Sequence, residues 1–158
     1  MANQTREYQT QKRECVFQQL FLTGFYSRQE QEEQCELFLQ DSDLLEELEL
    51  QRIEELAPED REQFKERCDA VVAKLPELDE AINRVAEGWK TNRMSRVDLS
   101  IIRLALYEMR YDEEIPLKVA INEAVELAKK YGGDDSSAFV NAILGKLARE
   151  DAQEEPHA

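Results

Sequence analysis

Apolar positions recur at helical spacing most clearly between Leu117 and Leu147. Leu117, Ile121, Ala124, Ala128 and Tyr131 follow one another at intervals of three and four, with Val125 widening the stripe, and predict an amphipathic helix with one face against a core. Gly132-Gly133 ends it, because glycine tolerates the left-handed backbone that commonly closes a last turn. Asp134, Asp135 and Ser136 then offer side-chain acceptors to the first amides of a new helix. Phe139, Val140, Ile143, Leu144 and Leu147 mark one side of that helix, which is expected to run to about Arg149, ahead of a polar tail from Glu150 to Ala158.

Upstream, the same period predicts a first helix from about Asn3 to Phe25, with Val16, Phe17, Leu20, Phe21 and Gly24 on its apolar stripe, and a second from about Ser27 to Gln40 with Cys35, Phe38 and Leu39 inward. Asp41 to Ala57 is acidic but carries Leu44, Leu45 and Leu48 at helical spacing, as a solvated helix or a partner-binding segment would. Pro58-Glu59-Asp60 opens a helix expected to reach Leu75, since proline's missing amide costs nothing in a first turn and acids suit the helix dipole there. Pro76-Glu77 repeats that opening for a shorter helix ending near Gly88. From Arg96 to Tyr111 the chain is apolar almost all round, which predicts a central helix enclosed by others. About seven helices with short connections and no strand pattern make the fold class all-α.

Composition narrows the function more than the fold. One compact domain is the expectation at 158 residues, and no Gly-, Ser- or Pro-rich linker divides it. No apolar run approaches the roughly 20 residues of a membrane span and no signal pattern opens the chain, so no membrane is implied and the location is expected to be cytoplasmic. Cys15, Cys35 and Cys68 are odd in number and fall among helix-spaced apolar residues, as buried free thiols do. His157 is the only histidine and lies in the tail, which leaves no metal site and no histidine-based catalysis. There is no Gly-rich phosphate loop or activated nucleophile, and acid pairs such as Glu123 and Glu126 read as solvated charges on a helix face, with Glu126 able to pair with Lys130. No enzyme and no cofactor is implied. The net charge of −15 argues against phosphate binding at first sight, but Arg84, Lys90, Arg93, Arg96 and Arg103 stand against only Glu87 and Asp98 and predict a locally basic surface.

The run AINEAVELAKKYG, followed by an acid–serine pair and FVN, resembles the C-terminal signature of the NusB family of bacterial transcription antitermination factors. The resemblance continues through Trp89, Arg93, Asp98 and IIRLALYEM (Ile101 to Met109), and more weakly through RECVFQQLF (Arg13 to Phe21), and covers about two-thirds of the chain. It implies one NusB-like domain over residues 1–150, with helical subdomains of about 1–75 and 76–150 packed together, and a polar tail at 151–158. Against that pattern the acidic segment 41–57 reads as an insertion.

The resemblance also implies a mechanism: a boxA-type single-stranded RNA is held together with a NusE-like small-subunit ribosomal protein on an RNA polymerase elongation complex, in ribosomal RNA transcription. RNA contacts are expected from the start of the first helix, where Tyr8 can stack and Gln11, Lys12 and Arg13 can reach phosphate or base, and from Lys118, Asp135 and Phe139. Only Lys12 and Arg13 are cationic in Gln9 to Arg13, a stretch that is often a dense arginine cluster in the family, so electrostatic attraction is reduced. Phe21, Trp89, Arg93 and Asp98 are expected on the side that meets the protein partner, although Trp89 also reads as an anchor between subdomains and Asp98 as a first-turn acid. Asn122 and Asn141 belong to the signature, and read as amides that tie helix ends together. The alternative is a protein-interaction adaptor of the same fold with little or no RNA binding.

Overall fold

A computed structural model describes residues 6–23, 58–86 and 94–154 of the chain. The helix expected over Ser27 to Gln40, the acidic segment 41–57, Cys35, Lys90 and His157 lie outside the described residues. The described residues form six helices and no strand: α1 (Arg6–Thr23), α2 (Pro58–Ala73), α3 (Leu75–Val85), α4 (Arg96–Tyr111), α5 (Leu117–Tyr131) and α6 (Ser136–Glu154). The all-α class is as the periodicity predicts. The chain divides into two compact units, Met1–Val72 and Ala73–Ala158.

In the first unit, α1 buries Cys15, Val16, Phe17 and Leu20, and α2 buries Phe64, Cys68 and Val71. Cys15 and Cys68 are buried free thiols, as their apolar neighbours suggested. Lys12 donates from Nζ to Gln63 Oε1 at 2.7 Å, which ties α1 to α2. The α2 helix stops at Ala73, and Lys74 turns the chain into α3, whose proline falls in its first turn, where no amide is needed.

The second unit is built round α4, which packs against α3, α5 and α6. Leu99, Ile101, Ile102, Leu104, Ala105 and Leu106 are all buried, so every side of the helix meets protein, as its nearly unbroken apolar sequence requires. Burying each of the larger aliphatic side chains contributes about 1.5–3 kcal/mol. The same enclosure buries Arg103, which the sequence had suggested for a basic surface. Its guanidinium donates from Nε to Asp79 Oδ1 at 2.8 Å and from Nη2 to Asp79 Oδ2 at 2.6 Å, a two-point clamp between α4 and α3.

Two further clamps explain why α6 continues past Arg149, where a frayed tail was expected. Arg110 grips Asp151 through Nε at 3.1 Å and Nη2 at 2.8 Å, and Arg84 reaches Glu150 at 2.8 Å through both Nε and Nη2. Carboxylates that look like solvated tail in sequence are thereby fixed by arginines of α4 and α3, and the helix runs to Glu154.

On α5 the buried stripe is Ala120, Glu123, Ala124, Leu127 and Ala128. Only Ala124 and Ala128 of the expected stripe are in it: Leu117 is 49% exposed, and Ile121, Val125 and Tyr131 are half-buried. The helix is wedged between α4 and α6, so its inward face is chosen by two neighbours, and small alanines are what close packing there admits. Glu123, read in sequence as a solvated acid, is buried, and Glu126 pairs with Lys129 at 3.5 Å, whereas Lys130 stands over the Tyr131 ring at 5.3 Å.

Candidate nucleic-acid interface

The turn between α5 and α6 is held by a reciprocal pair. Ser136 donates its backbone N–H to the Gly133 carbonyl at 3.1 Å, and its Oγ accepts the Gly133 N–H at 3.0 Å. Gly132 closes α5 by donating to the Ala128 carbonyl at 2.9 Å. Its backbone is extended, φ −93° and ψ −179°, and neither glycine takes the left-handed conformation that the sequence suggested. What demands glycine at 132 is proximity: a Cβ there would overlap Ser136 Cβ and Oγ and stand 2.8 Å from the Ala128 carbonyl oxygen. At Gly133 a Cβ would meet nothing within 4 Å.

This arrangement leaves Asp135 chemically available. Its carbonyl accepts the Phe139 N–H at 3.0 Å and so starts α6, but its side chain is exposed, and among the described residues no hydrogen bond or ion pair holds the carboxylate. The hydroxyl of Ser136, not the carboxylate of Asp135, accepts the turn's amide. Phe139 follows one turn later on the same side of α6, half-buried, so an acceptor and an aromatic edge share one face.

The other expected contacts are placed unevenly. Lys118 is exposed in the first turn of α5, whereas Asp135 lies beyond that helix's last turn. At 1.5 Å per residue the two ends of α5 are about 20 Å apart, so Lys118 does not share the mouth of the hairpin with Asp135 and Phe139. In the first unit Tyr8 and Gln11 lie on α1, with side chains outside the described residues. Lys12 is engaged by Gln63, and Arg13 is half-buried. Asn122 and Asn141 are exposed.

Of the residues expected to face a protein partner, Trp89 and Arg93 lie outside the described residues. Phe21 is half-buried, with its ring 6.3 Å from that of Phe17. Asp98 stands in the first turn of α4, where its backbone N–H is capped by Ser95 Oγ at 3.1 Å. Its Oδ1 is buried and, among the described residues, accepts no hydrogen bond. A carboxylate oxygen left unsatisfied costs roughly 1–3 kcal/mol of lost hydration, more for a charged group. The cap is legible in Ser95-Arg96-Val97-Asp98, a serine followed three residues later by an acid.

The sequence profile of the NusB family matches residues 10–149, which takes in both helical units and the α5–α6 turn. The chain belongs to the NusB family. A transcription antitermination protein NusB of Agathobacter rectalis is 48% identical over 86% of this chain and 95% of its own length, and the NusB of Lachnoclostridium phytofermentans is 48% identical over 85% and 94%. Among solved structures, T. maritima NusB is 34% identical with a TM-score of 0.69 and covers 89% of this chain and 90% of that one. NusB from Aquifex aeolicus, at 22% identity and a TM-score of 0.68, shares the fold. No described helix of this NusB-family chain is long and apolar enough to cross a membrane.

Proposed function

We propose that the chain is a non-enzymatic, RNA-binding transcription antitermination factor of the cytoplasm. It holds a boxA-type single-stranded RNA, together with a NusE-like small-subunit ribosomal protein, on a transcribing RNA polymerase. The action is tethering: one modest contact to RNA and one to protein reinforce each other through effective concentration. Kinship over nearly the whole chain to proteins named for transcription antitermination supports the role. The observation that carries the RNA contact is the exposed, uncommitted carboxylate of Asp135, with Phe139 one turn further on. A carboxylate accepts from the amino and imino donors of an unstacked base or from a ribose hydroxyl, and an aromatic edge packs against a base. Asp98, with its unsatisfied Oδ1, is the protein-contact residue in this reading.

The second reading, a protein-interaction adaptor with little RNA affinity of its own, is favoured by the fate of the cations: Lys12 is engaged by Gln63, and Arg103 is spent inside the fold. One titration separates the two. A labelled boxA-like RNA is titrated with the protein, with and without the NusE-like partner, at low and moderate salt. Saturable binding that tightens with the partner is the expected result. No binding under any condition removes the RNA-binding reading and leaves the adaptor.

A further inference from the structure

We propose that the acidic end of α6 covers a second site for the phosphates of a single nucleic-acid strand, built from Arg84 and Arg110. Asp151 lies about 24 Å along α6 from Asp135, at 1.5 Å per residue, so this surface goes beyond the RNA contact at the hairpin and does not depend on it. Arg84 stands in the last turn of α3 and Arg110 in the last turn of α4. Both guanidiniums are held by carboxylates from consecutive positions of α6. Glu150 Oε1 accepts from Arg84 Nε and Nη2, both at 2.8 Å, and the two oxygens of Asp151 accept from Arg110 Nε at 3.1 Å and Nη2 at 2.8 Å. A guanidinium fork that takes a carboxylate in this way fits the oxygens of a phosphate as well. Two forks that neighbouring residues can both reach lie close enough together to serve one strand.

The cover is held lightly. Val140, Ile143, Leu144 and Leu147 anchor α6 in the core, but from Ala148 to Ala152 no side chain is buried. Its last turns therefore adhere to α3 and α4 through ion pairs, without apolar packing to reinforce them. The paired side chains are 42% and 22% exposed in one case and 19% and 27% in the other. Pairs so open to water bias an equilibrium by about fivefold each or less. A strand of phosphates presents the same charge at higher density and gains from the counterions it releases, so it competes for the two arginines. With the acids displaced, the exposed Lys146 and Arg149 of α6 add their charge to the same end of the unit. Glu80, 3.5 Å from Arg84 Nη1, still pairs with that arginine and moderates its pull.

The test uses the full chain and a labelled oligouridylate, titrated over a range of low salt, with the helicity of each variant checked by circular dichroism. Glu150→Gln with Asp151→Asn keeps the length of α6 and uncovers the arginines. Affinity is expected to rise about fivefold or more, and the slope of log affinity against log salt to steepen by about 1.4, the value for two phosphate contacts on a single strand. In a background of Arg84→Gln and Arg110→Gln, neutralising the same two acids is expected to gain nothing. A gain of equal size there means that lost bulk negative charge is responsible and overturns the proposal, as does the absence of any gain in the first variant. Arg84→Gln alone, at the more exposed of the two arginines, keeps the test valid if Arg110→Gln impairs folding. It is expected to remove about half of the added slope, and an unchanged slope overturns the site. Asp135→Asn separates this surface from the hairpin. In the uncovered variant it is expected to leave the gain in place, whereas loss of the gain assigns it to the hairpin and overturns the second site.

Discussion

Replacing Arg103 tests how the second unit is held together. Its guanidinium makes two bonds to Asp79, at 2.8 and 2.6 Å, and the two side chains are 9% and 27% exposed. Removing one member of a buried pair costs about 3–5 kcal/mol, because the survivor is left charged without a partner. The two survivors here differ. In Arg103→Met the aliphatic stem still packs and the stranded group is Asp79, which is a quarter exposed and recovers part of its hydration, so about 2–3 kcal/mol is expected. In Asp79→Ala the more deeply buried guanidinium loses both of these bonds, and about 3–4 kcal/mol is expected. The double variant should be less damaged than the sum of the two by at least about 1.5 kcal/mol. Urea unfolding followed by helical circular dichroism measures each value, with an unchanged slope showing that the same surface is exposed. A loss under about 0.5 kcal/mol for either single change, or Arg103→Met costing more than Asp79→Ala, refutes the account of the clamp.

The adjacent glycines of the α5–α6 turn should respond in opposite senses. Gly132→Ala forces a Cβ onto Ser136 and towards the Ala128 carbonyl and should lower stability by about 1–3 kcal/mol; Gly133→Ala meets open space and should be neutral or stabilising by up to about 1 kcal/mol. Thermal melts of the two variants decide it, and equal effects would contradict the packing described. Tyr111 provides a pH-dependent test. Burial, then the hydrogen bond its hydroxyl donates to Glu77 at 3.1 Å, then the charge of Glu77, raise its phenol above the ordinary 10.0. Because the folded value lies above the unfolded one, the associated stability is present in full below pH about 10 and lost as pH rises through the folded value. Tyrosinate absorbance, taken as the difference between the unmodified protein and Tyr111→Phe, should titrate above 10.0. Glu77→Gln should bring the midpoint down, and a midpoint that Glu77→Gln does not move would exclude Glu77 as a cause.

The sequence by itself determined the helical class, the central position of α4 and the α5–α6 hairpin, because these depend on local periodicity and on an apolar run too continuous to face water. It also carried the NusB signature, including Asp135 and Phe139. The tertiary structure decided which charges are free. Arg103 looks in sequence like any surface arginine, and only the approach of α3 turns it into a buried clamp. Glu150 and Asp151 read as tail until Arg84 and Arg110 are seen to hold them. Lys118 and Asp135 belong to one signature but stand at opposite ends of α5, since a helix separates in space what a motif joins in sequence. The glycine turn shows the same division. Two glycines announce a helix end, but a side chain four residues on, folded back over Gly132, is what makes one of them obligatory and leaves the other free. Periodicity is a property of neighbours along the chain, whereas charge pairing and close approach belong to neighbours across it, and those exist only once the helices have packed.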